Sequence, residues 1–188
     1  MKEGNTALWE NVDWDEQVYP TSLQRYVIDP EAGCMVSAPT ILNTQVPEFP
    51  SIPRGLSTLR HRYVYSVGSH RNLERNNESG MGSGPAGSLM KTDCENPSKS
   101  EVFSFLPHEF VDEPIFCAKA NDNENVKEDS GYVIVYVVDG KKKTTDLCIF
   151  DVEGEGALSR GPVVRRTLPV FIPSGLHGMF ADNLTFNL

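Results

Sequence analysis

A chain of 188 residues, 39% hydrophobic and 23% charged, is long enough to bury the core of one domain and lacks the composition of a disordered or membrane-spanning protein. Its formal net charge of -9 opposes binding to a phosphate backbone, so no nucleic-acid partner is expected. No apolar run approaches the ~20 residues of a transmembrane helix, and Met1-Lys2-Glu3-Gly4-Asn5 lacks the apolar core of a secretory signal.

Residues 1–22 read as a polar lead-in with no sustained period. Leu23–Asp29 alternates as a strand, Pro30-Glu31-Ala32-Gly33 turns, and Cys34–Leu42 returns as its hairpin partner. In Val46-Pro47-Glu48-Phe49-Pro50 a carboxylate lies between two prolines, which predicts a stiff, extended backbone. Arg62–Gly68 is a strand rich in aromatic and β-branched residues. Residues 70–88 turn polar and Gly/Ser-rich. Residues 82–87 spell G-x-G-x-x-G, but no strand leads in, no helix follows and Pro85 interrupts, so a flexible surface loop is expected rather than a nucleotide site. Ser88–Asp93 and Ser100–Phe105 are short strands. Asp112-Glu113-Pro114 then places a second carboxylate ahead of a proline and an apolar strand, followed by an acidic loop over 121–130. Gly131–Val138 is the strongest strand, continuously apolar, so both its faces should be covered. Asp139-Gly140-Lys141-Lys142 is a hairpin turn into Thr144–Asp151, and Val163–Leu168 is the last strand.

The pattern is about nine strands with no helical period, an all-β chain built as a sandwich or as blades of a propeller. The four cysteines, Cys34, Cys94, Cys117 and Cys148, form no C-x-x-C pair. Cys117 and Cys148 lie in apolar runs and read as buried reduced thiols, which fits a reducing intracellular compartment, cytoplasm or plastid.

One stretch organises the rest: Leu168-Pro169-Val170-Phe171-Ile172-Pro173-Ser174-Gly175-Leu176-His177-Gly178-Met179-Phe180. A histidine between two glycines, after two prolines, is either a core residue with its N–H satisfied or a neutral imidazole offered to a metal. Gly175 and Gly178 would permit unusual backbone conformations or the close approach of a neighbour.

The ordered set Leu23–Asp29, Glu48-Phe49-Pro50 with Arg62-Tyr63-Val64-Tyr65, Glu113-Pro114-Ile115-Phe116, Asp129-Ser130-Gly131-Tyr132, Leu147–Asp151 and Pro173-Ser174-Gly175-Leu176-His177-Gly178 resembles the carboxy-terminal part of the carotenoid cleavage oxygenases, from about Leu23 to Phe180. The resemblance implies a partial seven-bladed β-propeller, roughly its last three blades, over residues 23–188. It implies a non-haem Fe(2+) enzyme that cleaves a double bond of a carotenoid or apocarotenoid with dioxygen. By the same resemblance His177 is the last of four histidine ligands, and Glu48 and Glu113 are two of three glutamates that anchor ligand imidazoles. A carboxylate in that role fixes a ligand's tautomer and raises its basicity.

The chain departs from the family in its ligand set. No histidine precedes Glu48, and His61, His70 and His108 fall off the family's ligand positions and read as surface or strand-end residues. The expectation is therefore a fragment that supplies one of four ligands. Its apolar polyene substrate, and any peripheral membrane contact, would belong to a full-length protein. The alternative is a non-catalytic β-propeller fragment kept as a binding or structural module.

Overall fold

The computed structural model describes residues 21–45, 47–69, 86–120, 127–175 and 177–181. Residues 1–20 of the lead-in, nearly all of the Gly/Ser-rich loop and residues 121–126 of the acidic loop lie outside them. The strand expected from Ser88 begins two residues earlier, taking in Ala86 and Gly87 from that loop, and Ser88 pairs with both Gly68 and Ser104.

The described strands run in chain order as follows. β1 is Leu23–Arg25, β2 Ile28–Asp29, β3 Cys34–Met35 and β4 Thr40–Asn43. β5 is Glu48–Ser51, β6 Tyr63–Ser69, β7 Ala86–Asp93 and β8 Glu101–Ser104. β9 is Glu109–Val111, β10 Ile115–Ala118, β11 Gly131–Asp139, β12 Thr144–Asp151 and β13 Val164–Thr167. All pairings are antiparallel, and no described helix is long and apolar enough to cross a membrane.

The first expected hairpin is two nested ones. β1 pairs with β4, and β2 with β3, because Asp29 Oδ1 accepts the N–H groups of Glu31 and Ala32 and closes a tight inner turn. Gly33 takes the left-handed conformation this turn needs, at φ 64°. Two larger meanders follow. One has the order β5-β6-β7-β8. The other has the order β10-β11-β12-β13, with β9 also paired to β11. The short strand β9 carried no sequence signal of its own.

The two meanders pack face to face. Tyr65, Val67 and Leu89 from the first meet Val133, Val135, Val137, Cys148 and Phe150 from the second, all nearly or fully buried. Burying each such side chain contributes roughly 1.5–3 kcal/mol. Phe103, Phe105 and Phe150 meet edge to face, with centroids 5.0 to 6.2 Å apart, and Tyr65 stacks on Phe116 at 5.4 Å. Lys91, 2% exposed, reaches from β7 to Asp129 Oδ2 at 2.8 Å and to the carbonyls of Val152 at 2.7 Å and Gly154 at 3.1 Å. Its ammonium donors are thereby satisfied inside the seam.

β11 departs from the expectation that both its faces are covered. Gly131, Val133, Val135, Val137 and Asp139 are buried, whereas Tyr132, Ile134 and Val138 are half-buried and Tyr136 is exposed. The described residues pack a second sheet against one face only, so burial alternates along an apolar strand. The cysteines also differ in part. Cys148 is fully buried and its thiol is pushed up to about 11 by that burial, but Cys117 is only half-buried.

The first strand of each meander carries an irregularity. Between the pairs Glu48↔Val67 and Ser51↔Tyr65, β5 advances three residues while β6 advances two. Between Val111↔Val137 and Ile115↔Ile134, the β9–β10 edge advances four residues while β11 advances three. Each is one extra residue, the count of a β-bulge. At the first bulge Phe49 has φ 50°, not the extended backbone that the flanking prolines imply. The extra residue forces that turn despite the following Pro50.

Gly131→Ala would place a Cβ 2.3 Å from Phe116 Cζ and 2.8 Å from the Cys117 carbonyl. The expected cost is roughly 1–3 kcal/mol, read as a lower urea midpoint with unchanged slope. Asp139 provides a pH test. The Lys142 ammonium, with backbone N–H groups of the turn, holds its carboxyl down from 3.8 to about 2. Its contribution is complete above about pH 4 and is lost as pH falls towards 2, so urea midpoints should drop over that window and drop less in Asp139→Asn.

Candidate metal centre

The described residues of 168–179 form no strand after β13 ends at Thr167, and Pro169 and Pro173 have no N–H to give to a ladder. Its backbone is held by side chains of the second meander instead. Leu168 N–H donates to the Thr145 carbonyl at 2.8 Å. Thr145 Oγ1 accepts the Ile172 N–H at 3.0 Å and donates to the Ile172 carbonyl at 2.7 Å. The Ser174 hydroxyl donates to Asp112 Oδ1, and Gly175 N–H approaches Asp112 Oδ2 at 3.3 Å. Gly178 N–H donates to Glu113 Oε2 at 2.8 Å, and His177 Nδ1 lies 3.4 Å from Glu113 Oε1.

His177 is therefore no core residue. Its side chain is 69% exposed, touched by Glu113 at Nδ1 and by the edge-on Phe49 ring with centroids 5.8 Å apart. A hydrogen bond to Glu113 requires the proton on Nδ1, which leaves the Nε2 lone pair available as a donor to a metal. Neither flanking glycine takes a positive φ. The expectation of unusual backbone at Gly175 and Gly178 does not hold, because the carboxylate and threonine anchors set an ordinary path. Close approach does hold at Gly178, where a Cβ would come 3.2 Å from Ile115 Cδ1, but a Cβ at Gly175 would meet nothing within 4 Å.

The acids occupy related places. Glu48 opens β5, and Glu113 lies in the break between β9 and β10, so both stand at the extra residue in the first strand of a meander. Only Glu113 meets His177. Glu48 is exposed and accepts a long 3.5 Å hydrogen bond from Thr21, while its neighbour Phe49 makes the contact with the imidazole. Beside the site, Glu113, Phe116, Ser51, Pro53, Met179 and Phe180 contribute to a cleft of about 370 Å³.

Of the remaining histidines, His70 lies outside the described residues, and His61 is half-buried on a turn with Nδ1 3.2 Å from the Leu59 carbonyl. His108 stands next to Glu109 and Asp139, the one described cluster whose potential ligand atoms lie close together. Both carboxylates there are already engaged. Glu109 receives Arg165 and the Leu106 N–H, and Asp139 receives Lys142 and two backbone N–H groups, so the cluster reads as an ion-pair network. Asp112, Thr145 and Phe49 were missed as site residues. Phe49 lay inside a motif already singled out, Asp112 differed from any surface acid only by adjoining Glu113, and Thr145 left no mark in the sequence.

The donor set fits one position of an imidazole-bound ferrous ion, since ferrous iron accepts imidazole nitrogen and His177 is oriented by a carboxylate. It does not by itself complete a coordination sphere. His177 belongs to no cluster of three or more ligand-type side chains among the described residues.

The sequence model of the family described as retinal pigment epithelial membrane protein, RPE65, matches residues 2–182. Among characterised proteins the chain is similar to apocarotenoid-15,15'-oxygenase of Synechocystis sp., at 26% identity over 163 residues, covering 87% of this chain and 30% of that protein. Among solved structures it is similar to cobalt-substituted Synechocystis ACO, with TM-score 0.76 and 25% identity over 92% of this chain and 32% of that one. It is also similar to an ACO/RPE65 chimera, with TM-score 0.72 and 25% identity over 86% and 30%. The chain thus spans about 30% of the length of the relatives it matches. With the family match running over nearly all of its residues, this chain belongs to the RPE65 family of carotenoid cleavage oxygenases.

Proposed function

We propose that this chain forms the carboxy-terminal blades of a seven-bladed propeller in a non-haem iron(II) dioxygenase that cleaves a carbon–carbon double bond of an apocarotenoid or carotenoid. His177 is the last of four iron ligands, and Glu113 orients it. The observation that carries this reading is the pairing of His177 Nδ1 with Glu113 Oε1 at 3.4 Å on a side chain that is 69% exposed. Two sequential meanders, one of four strands and one of five, each with a glutamate at the irregularity in its first edge, support the blade assignment. The half-exposed face of β11 and the exposed β13 edge are the surfaces that further blades would cover.

Bound iron would supply the activation of dioxygen for insertion across the double bond, giving two carbonyl products. The residues of this chain do the rest of what is assigned to them here. Glu113 holds the Nδ1 proton and fixes the plane of the ring. Phe49 packs against the imidazole and limits its rotation. Glu48, on the neighbouring meander, is assigned to anchor another ligand imidazole on the same axis. The apolar side chains of Phe116, Met179 and Phe180 in the cleft suit a polyene.

A second reading, a non-catalytic β-module, draws support from the single oriented imidazole among the described residues. Metal content separates the two. In a polypeptide that joins this chain to the remaining blades and their histidines, about one iron per chain is expected. It should be lost in His177→Ala and bound roughly 10–100-fold more weakly in Glu113→Gln. The 188-residue chain alone should hold far less than one equivalent. Full iron occupancy and apocarotenoid cleavage in His177→Ala would overturn the ligand assignment.

A further inference from the structure

We propose that Asp112 is a positioning residue for the metal-binding imidazole: it fixes the chain at Ser174–Gly175 so that His177 arrives at Glu113. This rests on the reading of His177 as a ligand oriented through Nδ1, and it adds a residue that the family motifs do not include.

The described residues of the stretch 168–179 belong to no strand, so its course depends on three anchors in succession. Thr145 grips both polar groups of Ile172. Asp112 takes the Ser174 hydroxyl on one oxygen and the Gly175 N–H on the other. Glu113 takes the Gly178 N–H on one oxygen and faces the His177 ring with the other. Between Thr145 and Glu113, Asp112 is the side chain that fixes the approach to the histidine.

Asp112 is itself rigidly placed. Its N–H donates to the Tyr136 carbonyl at 2.9 Å, one step beyond the Val111↔Val137 pair, so its backbone is locked to β11. Pro114, two residues on, restricts Glu113. The extra residue between β9 and β10 thus presents two consecutive carboxylates to one loop, at sites three residues apart. Glu113 alone would have to hold an exposed imidazole through a 3.4 Å contact, near the limit of a useful hydrogen bond. With Ser174 and Gly175 already fixed, the ring pays little further conformational entropy to reach it.

The test uses the 188-residue chain labelled with nitrogen-15 and long-range proton–nitrogen spectra of the His177 ring, taken above the imidazole titration range so that the ring is neutral. The ring tautomer is the readout, because a loop that merely lends stability would not move it. The parent chain is expected to show the proton on Nδ1. Asp112→Ala should shift the His177 nitrogen resonances to those of a solvated imidazole exchanging between tautomers, with β11 and β12 amide signals unchanged. Asp112→Asn keeps an acceptor for Ser174 and should restore most of the locked pattern. Ser174→Ala should shift it part of the way. A ring that stays locked on Nδ1 in folded Asp112→Ala overturns this proposal while leaving the Glu113 pairing intact. Should Asp112→Ala fail to fold, a fully locked ring in Ser174→Ala overturns it instead. A parent chain whose ring already exchanges freely overturns the Glu113 pairing, and this proposal with it.

Discussion

Lys91 leaves β7 and ends among Asp129 and the carbonyls of Val152 and Gly154, beyond the edge of its own sheet. An ammonium in so apolar a seam is tolerable only because its donors find oxygens, and those oxygens belong to the loops bounding β11 and β12. Around this contact the two meanders close over Tyr65, Leu89, Val133, Val135 and Phe150. Their relative position is thereby set, and with it the relative position of Phe49 on one meander and Glu113 on the other. Because His177 touches both, the candidate site depends on this seam, against which Phe49 itself packs.

Irregularity, rather than regular strand, is what places the acids. A strand in perfect register sends every second side chain to one face and gives all its N–H groups to its neighbour. One extra residue at Glu48–Ser51, and another between Val111 and Ile115, breaks that alternation at two related points. At the second break the Asp112 and Glu113 carboxylates turn to the loop that carries His177, while the Asp112 N–H stays bonded to the Tyr136 carbonyl. The prolines serve the same end, since Pro169 and Pro173 make that loop incapable of joining the sheet and so dependent on side chains.

Much of this was legible beforehand. The turn at Pro30–Gly33, the strand over Gly131–Val138 and its hairpin with Thr144–Asp151 follow from local composition and were found in place, the strand running one residue further to Asp139. Local composition failed where pairing is decided at a distance. Leu23–Asp29 looked like one strand but divides between two partners, and Glu109–Val111 became a strand only because β11 extends far enough to pair with it. The full burial expected of β11 failed for the same reason: apolar character shows that a strand can be covered, not that a covering sheet is present.

At the site the division is similar. The residue types and order determined the family, the all-β class and the choice of His177 and Glu113, because an imidazole flanked by glycines and an acid ahead of a proline are local features. Only the tertiary structure decided that Glu113, 64 residues away, is the acid facing that imidazole, that Phe49 rather than Glu48 touches it, and that Asp112 and Thr145 hold the loop. Those contacts join residues far apart in the chain, and those of Phe49, Asp112 and Glu113 stand at one-residue shifts in strand register, which leave no compositional trace.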